Sequence, residues 1–143
     1  MPYEYLDGIT TADVAFRAWG NSREEMFCSA AAAVLNVMLD NPEELSSKIK
    51  RRIVKDNPFL DMLLFQFLDE LIYLKDADRL LLKTENIWIE STASKFVLNA
   101  QLSGECIDPQ RHKLKVDVKA VTLHHFKVEK KADIFSATVV LDI

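Results

Sequence analysis

After Arg79 the helical period does not return. Before it, two segments carry apolar residues at helical spacing. Beyond it, "RLLLKTENIWIES", "SKFVLNAQLSGE" and "KLKVDVKAVTLHHFKVEKKADIFSATVVLDI" are rich in β-forming residues with period-2 stretches. Strands in consecutive runs, rather than alternating with helices, favour an α+β fold. An antiparallel or mixed sheet is expected, with two amphipathic helices packed on it. The 143 residues make one domain with a sizeable core, and 3 Gly and 4 Pro leave little room for linkers.

The first helix is predicted in "NSREEMFCSAAAAVLNVMLDNP". Ser22 followed three residues later by Glu25 is a capping box. Met26, Phe27, Ala30, Ala31, Val34, Leu35 and Met38 recur at helical spacing, and Asn41-Pro42 ends the run. The second, "NPFLDMLLFQFLDELIYLKDAD", offers Asn57 as N-cap and Pro58 at the first helical position. Its stripe is Phe59, Leu63, Phe67, Leu71 and Leu74. "ADVAFRAWG" reads as a short strand and "SSKIKRRIVK" as a charged one. Turns fall around Ser91 to Lys95 and near Lys130 to Asp133. In "KLKVDVKA", Leu114, Val116 and Val118 alternate with charged residues, which predicts a strand with one buried face.

The composition, 49% hydrophobic and 28% charged, is that of a soluble globular protein. No apolar run approaches the roughly 18 residues of a membrane span, and "MPYEYLDG" has no leader character. Cys28 and Cys106 cannot form a disulfide framework or a metal knuckle. These features point to the cytoplasm and to no membrane partner. A net charge of -4 gives no general attraction to nucleic acid, although "KIKRR" and "RHKLK" are basic. Three glycines cannot supply a phosphate-binding loop, and no Gly-x-Ser-x-Gly elbow exists. Cys28, inside an amphipathic helix, reads as core. Cys106 lacks an activating partner.

The acids are more suggestive. Asp7 and Asp13 flank "GITTA", and a Thr-Ala-Asp turn groups carboxylate, hydroxyl and carbonyl oxygens suited to a hard cation. The plain alternative is an Asp that closes a turn. Asp142 stands one residue before Ile143, so two carboxylates meet if the chain ends there. That pair is either a frayed terminus or half of a cation site. Chain termini commonly lie close together, which would let Asp13 and Asp142 meet. His124 and His125, adjacent on a strand, are expected to face opposite sides.

Taken in order, "TADVAFRAWG", "AAAAVLNVMLD", "LLFQFLDELIYL", "GECIDPQRHKLKVDVKAVTLHHFKVE" and "VVLDI" resemble the archease family over nearly the whole chain. The resemblance implies a small α+β protein that is not itself an enzyme. It implies the activating partner of an RtcB-type RNA-splicing ligase in tRNA maturation, promoting guanylylation of the ligase and repeated turnover. RNA would be reached only indirectly, through the ligase. The implied cofactor is a divalent metal ion, Ca²⁺ first, with Mg²⁺ or Mn²⁺ as alternatives. The family's metal-binding aspartates fall on Asp13 and Asp142, with the terminal carboxylate of Ile143 completing the set. Its functional lysine falls on Lys119. His124, Arg111 and His112 match motif positions expected to shape the site or the ligase surface. One departure stands out: Thr10 occupies the place of a histidine in many members, leaving open whether Asp7 substitutes. Two competing readings are a metal-dependent phosphoester hydrolase built on Asp13, Asp142 and Lys119, and a chaperone or RNA-binding module using the "KIKRR" strand.

Overall fold

The computed structural model describes residues 2–7 and 13–143. In chain order these form β1 (Tyr3–Leu6), β2 (Val14–Gly20), α1 (Arg23–Met38), β3 (Ile49–Asn57), α2 (Leu60–Asp78), β4 (Leu80–Ser91), β5 (Phe96–Cys106), β6 (Ala120–Lys131) and β7 (Ile134–Asp142). The expected α+β architecture holds, with two helices packed on antiparallel strands. The strands divide into two sheets rather than one, in the orders β1-β2-β7-β6 and β3-β5-β4, and each pairing is antiparallel. Among the described residues no helix is long and apolar enough to cross a membrane.

The helices serve both sheets. α1 packs against β2 of one and β4 of the other, and α2 against β6 and β3. A helix with neighbours on two sides needs apolar residues around most of its circumference, and α1 buries Met26, Phe27, Ala30, Ala31, Ala33, Val34, Leu35, Val37 and Met38. Phe27 stacks on Phe67 of α2 with ring centres 5.9 Å apart. Each such large side chain, fully buried, stabilises the fold by roughly 1.5–3 kcal/mol. Ser22 caps α1, its Oγ accepting from the Glu25 N–H at 3.1 Å. The Glu25 carboxylate reaches back to the Asn21 N–H at 2.5 Å.

Three local expectations change. Asn57 is not the cap of α2: it ends β3, paired with Phe96, while its side chain accepts from the Phe59 N–H at 2.9 Å. The residue before a proline is held extended, so Pro58 serves the strand-to-helix turn and the helix begins at Leu60, with Phe59 as its cap. The second change is at Lys113 to Lys119, which is not a strand. The Lys115 and Val116 N–H groups donate to the carbonyls of Met38 and Val37 at 2.9 and 3.3 Å, meeting the end of α1. The last turn of a helix leaves its carbonyls unpaired, and this segment satisfies two of them. Val118 is fully buried, whereas Leu114 and Val116 remain about two-fifths exposed. Third, β1 forms where no element was expected. It pairs with β2 and is tied to α1 by the Tyr5 hydroxyl, which donates to the Ala33 carbonyl at 2.8 Å.

Gly104 is a glycine that the packing requires. A Cβ there would run into the Leu81 carbonyl of the neighbouring strand, so β5 carries glycine where a strand interior ordinarily disfavours it.

Candidate functional site

The register of the first sheet gathers residues from distant parts of the chain. Val14 pairs with Leu141, so one step further along each strand lie Asp13 and Asp142. On the other side of β7, Ala120 pairs with Asp142. The Lys119 N–H donates to the Asp142 carbonyl at 2.8 Å. Asp13, Asp142, Ile143 and Lys119 therefore share one end of the sheet. Asp142 and Lys119 are exposed and Asp13 is half-buried. Neither aspartate makes an ion pair among the described residues. Asp7 joins Asp13 in lining a hollow of about 300 Å³, with Lys115 and Val116 on its wall. Thr10 lies outside the described residues.

The donor set here is oxygen throughout, the chemistry that suits Ca²⁺, Mg²⁺ or Mn²⁺. No group of three or more His, Cys, Asp or Glu side chains clusters as a metal cage among the described residues. An ion between Asp13 and Asp142 would thus take its other ligands from the Ile143 carboxylate, backbone carbonyls, water or a partner.

Arg111 and His112 go elsewhere. They flank Glu105, whose side chain is only 2% exposed. Arg111 is ion-paired with Glu105, and the Ser46 N–H donates to the same carboxylate at 2.8 Å. His112 Nε2 lies 3.6 Å from it, while Nδ1 accepts from the Asp108 N–H at 2.9 Å. Burial, then the neighbouring Arg111 charge, pushes the His112 pKa below its ordinary 6.5. This pair closes the 107–112 loop onto Ser46. Among the described residues no hydrogen bond or ion pair joins it to Asp13 or Asp142.

His124 departs from the alternation expected of it. Between Thr122 and Lys127 the β6 ladder slips against β7, leaving Leu123, His124, His125 and Phe126 opposite Val139 alone. His125 adopts a left-handed φ of 54°, which breaks the two-residue period. The imidazoles of His124 and His125 come within 4.1 Å instead of facing apart. Both are exposed, beside Leu123 at 62%.

With this geometry in place, comparison with known proteins is decisive. Residues 3–143 match the profile described as "Archease protein family (MTH1598/TM1083)". The chain belongs to the archease family. The protein archease of Methanosarcina barkeri is 38% identical over 144 residues, covering 99% of this chain and 95% of that one. That of Pyrococcus furiosus is 35% identical over 123 residues, 86% of each. The solution structure of Methanobacterium thermoautotrophicum protein 1598 matches with a TM-score of 0.86 at 31% identity, covering 99% of this chain and 98% of that one. An archease from Thermotoga maritima, described as a possible chaperone, shares the fold with a TM-score of 0.64 at 20% identity, over 94% and 93%.

In this archease-family chain, two structural residues escaped the sequence reading. Lys75 of α2 is 5% exposed. It donates to Asp117 at 2.5 Å and to the Val118 carbonyl at 2.7 Å, and pairs with Asp76 at 2.7 Å. It thereby pins the approach to Lys119. The signal was available, because Lys75 continues the Phe67, Leu71 stripe at four-residue steps. Burial acts to lower its pKa, but the hydrogen bonds from Asp117 and Asp76 outweigh it and leave the value raised. Glu105 gave no signal, since a glutamate near a strand end ordinarily points to water. Cys28, expected in the core, is a half-buried residue of α1, and burial pushes its thiol up to about 11.

Proposed function

We propose that this chain is a non-catalytic protein cofactor of an RtcB-type RNA ligase, acting through a divalent metal ion. The observation that carries the reading is the register that sets Asp13 and Asp142 at adjoining strand ends, with Lys119 hydrogen-bonded beside them. Family membership supports it. Asp13, Asp142 and, where the chain ends at Ile143, its carboxylate would hold the ion, Ca²⁺ by first choice. A hard cation supplies concentrated positive charge of the kind that steadies a triphosphate. The chain's own part is to hold two carboxylates on a rigid sheet, with the Lys119 backbone anchored beside Asp142. Exposed Leu123, His124 and His125 on the β6 bulge offer a contact surface for the ligase. Arg111 and His112 shape that surface from a distance by fixing the 107–112 loop.

The test is RNA ligation by purified ligase under multiple turnover, with this chain, Asp13→Ala or Asp142→Ala added. Acceleration by the intact chain and its loss in both variants is expected. No acceleration, or variants equal to the parent, overturns the proposal. Residues appended after Ile143 are expected to weaken Ca²⁺ binding by removing the terminal carboxylate. A parallel incubation without ligase, with nucleotides and each metal, tests the hydrolase alternative. The chaperone reading draws on the description of the Thermotoga maritima relative. It predicts that both alanine variants still keep an aggregating partner soluble.

A further inference from the structure

Among the described residues no helix lies over the outer face of the β3-β5-β4 sheet. Both helices lie on the face that carries Ile53, Leu98, Ala100, Leu102 and Ile89, all buried. On the other face the register builds three-residue rows across the sheet. Val54, Asn99 and Trp88 form one; Arg52, Gln101 and Asn86 form the next; Lys50, Ser103 and Lys83 the third. A sheet face left to water ordinarily carries polar and charged residues alone. Here Trp88 is 39% and Val54 54% exposed in the middle of the face.

The charges are arranged with equal economy. Lys50, Arg51 and Arg52 follow one another along the edge strand β3, with Lys48 just before it, in a chain whose net charge is -4. Lys50, Arg51 and Arg52 make no ion pair among the described residues. Arg51, Lys50 and Arg52 line a groove of about 630 Å³ together with Asn86 and Gln101. The acid in that groove, Glu85, is already engaged by the hydroxyls of Ser103 and Ser47, and the Ser103 hydrogen bond holds its carboxyl below the usual range. Asp56 and Glu90 sit in the Val97 row at the opposite end of the face, away from the cations.

We propose that this face binds a segment of single-stranded RNA. Trp88 stacks an unpaired base, and the amides of Asn86, Asn99 and Gln101 meet base edges with donors and acceptors on one side chain. Lys50 and Arg52 hold the phosphates, with Arg51 adding positive charge from the edge of the groove. Antiparallel strands lie about 4.8 Å apart, so one row spans the distance from a stacked base to its backbone. A duplex hides its base faces from Trp88, and an acidic peptide has no use for a stacking ring beside three amides. The choice of RNA over DNA rests on the ligase reading above; the stacking and phosphate contacts do not.

The experiment is fluorescence anisotropy of a labelled single strand of about twelve nucleotides, titrated with the intact chain and no ligase, at low and at moderate salt. Saturable binding that weakens with salt is expected. A Lys50→Gln, Arg52→Gln double variant should bind roughly ten-fold more weakly, with a salt slope shallower by about 1.4, from two phosphates at about 0.7 each. Trp88→Ala should lose roughly five-fold or more, and Lys131→Gln on the other sheet should lose nothing. Circular dichroism establishes that each variant is folded. Absence of saturable binding by the folded parent overturns the proposal, as do variants that bind like the parent. So does equal binding of duplex RNA, or polyglutamate bound as tightly as RNA. Because no ligase is present, failure of ligase activation leaves this outcome standing. Conversely, Trp88→Ala in the turnover assay reads activation apart from RNA binding.

Discussion

Glu105 and Asp142 are both carboxylates at the ends of strands, yet the molecule treats them in opposite ways. Around Glu105 the charge is consumed within the fold: Arg111, Lys48, His112 and the Ser46 N–H all converge on a side chain closed off from water. Asp142 stays open to water, with half-buried Asp13 alongside and, among the described residues, no cation paired to either. A buried carboxylate without partners is strongly destabilising, so the fold has to bring cations and a donor to Glu105. Two neighbouring carboxylates repel, and that repulsion persists in water until something positive arrives. The same residue type is therefore a clasp in one place and an open charge in the other. Packing distinguishes them where the motif alone does not.

The comparison breaks most readily at the clasp. Glu105→Ala should cost about 2–3 kcal/mol in a denaturant titration, the lower part of the range for a buried pair because Arg111 is half-exposed. Lys75→Met comes next. It leaves the Val118 carbonyl without its donor and should cost about 1–2 kcal/mol. Since the folded pKa of Lys75 is raised above 10.5, its contribution is full below that pH and fades as pH rises through the folded value. The parent and Lys75→Met should thus converge in alkali. His112 gives a smaller effect of opposite sense. Its folded pKa lies below 6.5, so the unfolded chain takes up the proton first. Stability should hold above about pH 6.5 and decline as pH falls below it, a dependence that His112→Gln should flatten in melts across that range.

At the open end the expected stability changes are smallest and the functional ones largest. Asp142→Asn and Asp13→Asn should move stability by no more than about 0.5 kcal/mol. Added Ca²⁺ should stabilise the parent by about 2.7 kcal/mol at a hundred times its dissociation constant. Neither variant should respond. A large loss of stability in Asp142→Asn without metal would place it with Glu105 and erase the contrast.

Much of this was legible in the chain. The capping box at Ser22 and Glu25 and the hairpins at Ser91 to Lys95 and Lys130 to Asp133 depend on local chemistry, and local chemistry is what a sequence displays. The shared end of Asp13 and Asp142 was legible only as a suspicion, because strand register is a long-range property. The segment Lys113 to Lys119 misled because alternation tells of a two-sided environment without saying what provides it. There it is the end of α1, not a neighbouring strand. His124 and His125 misled for the converse reason: a left-handed residue inside a ladder cancels the period that the argument relied on.

The bulge at Leu123 to Phe126 has a mechanical consequence. It works as an expansion joint in β6, separating the ladder that fixes Ala120 against Asp142 from the ladder that leads into the β7 hairpin. Its exposed residues, Leu123 to His125, can change without disturbing either ladder, while Phe126 holds the bulge to Phe65 of α2. Relatives can therefore vary the surface shown to a partner while the carboxylate end stays in register. A one-residue deletion at Leu123 should leave the melting curve close to the parent's, whereas one at Val121 should not.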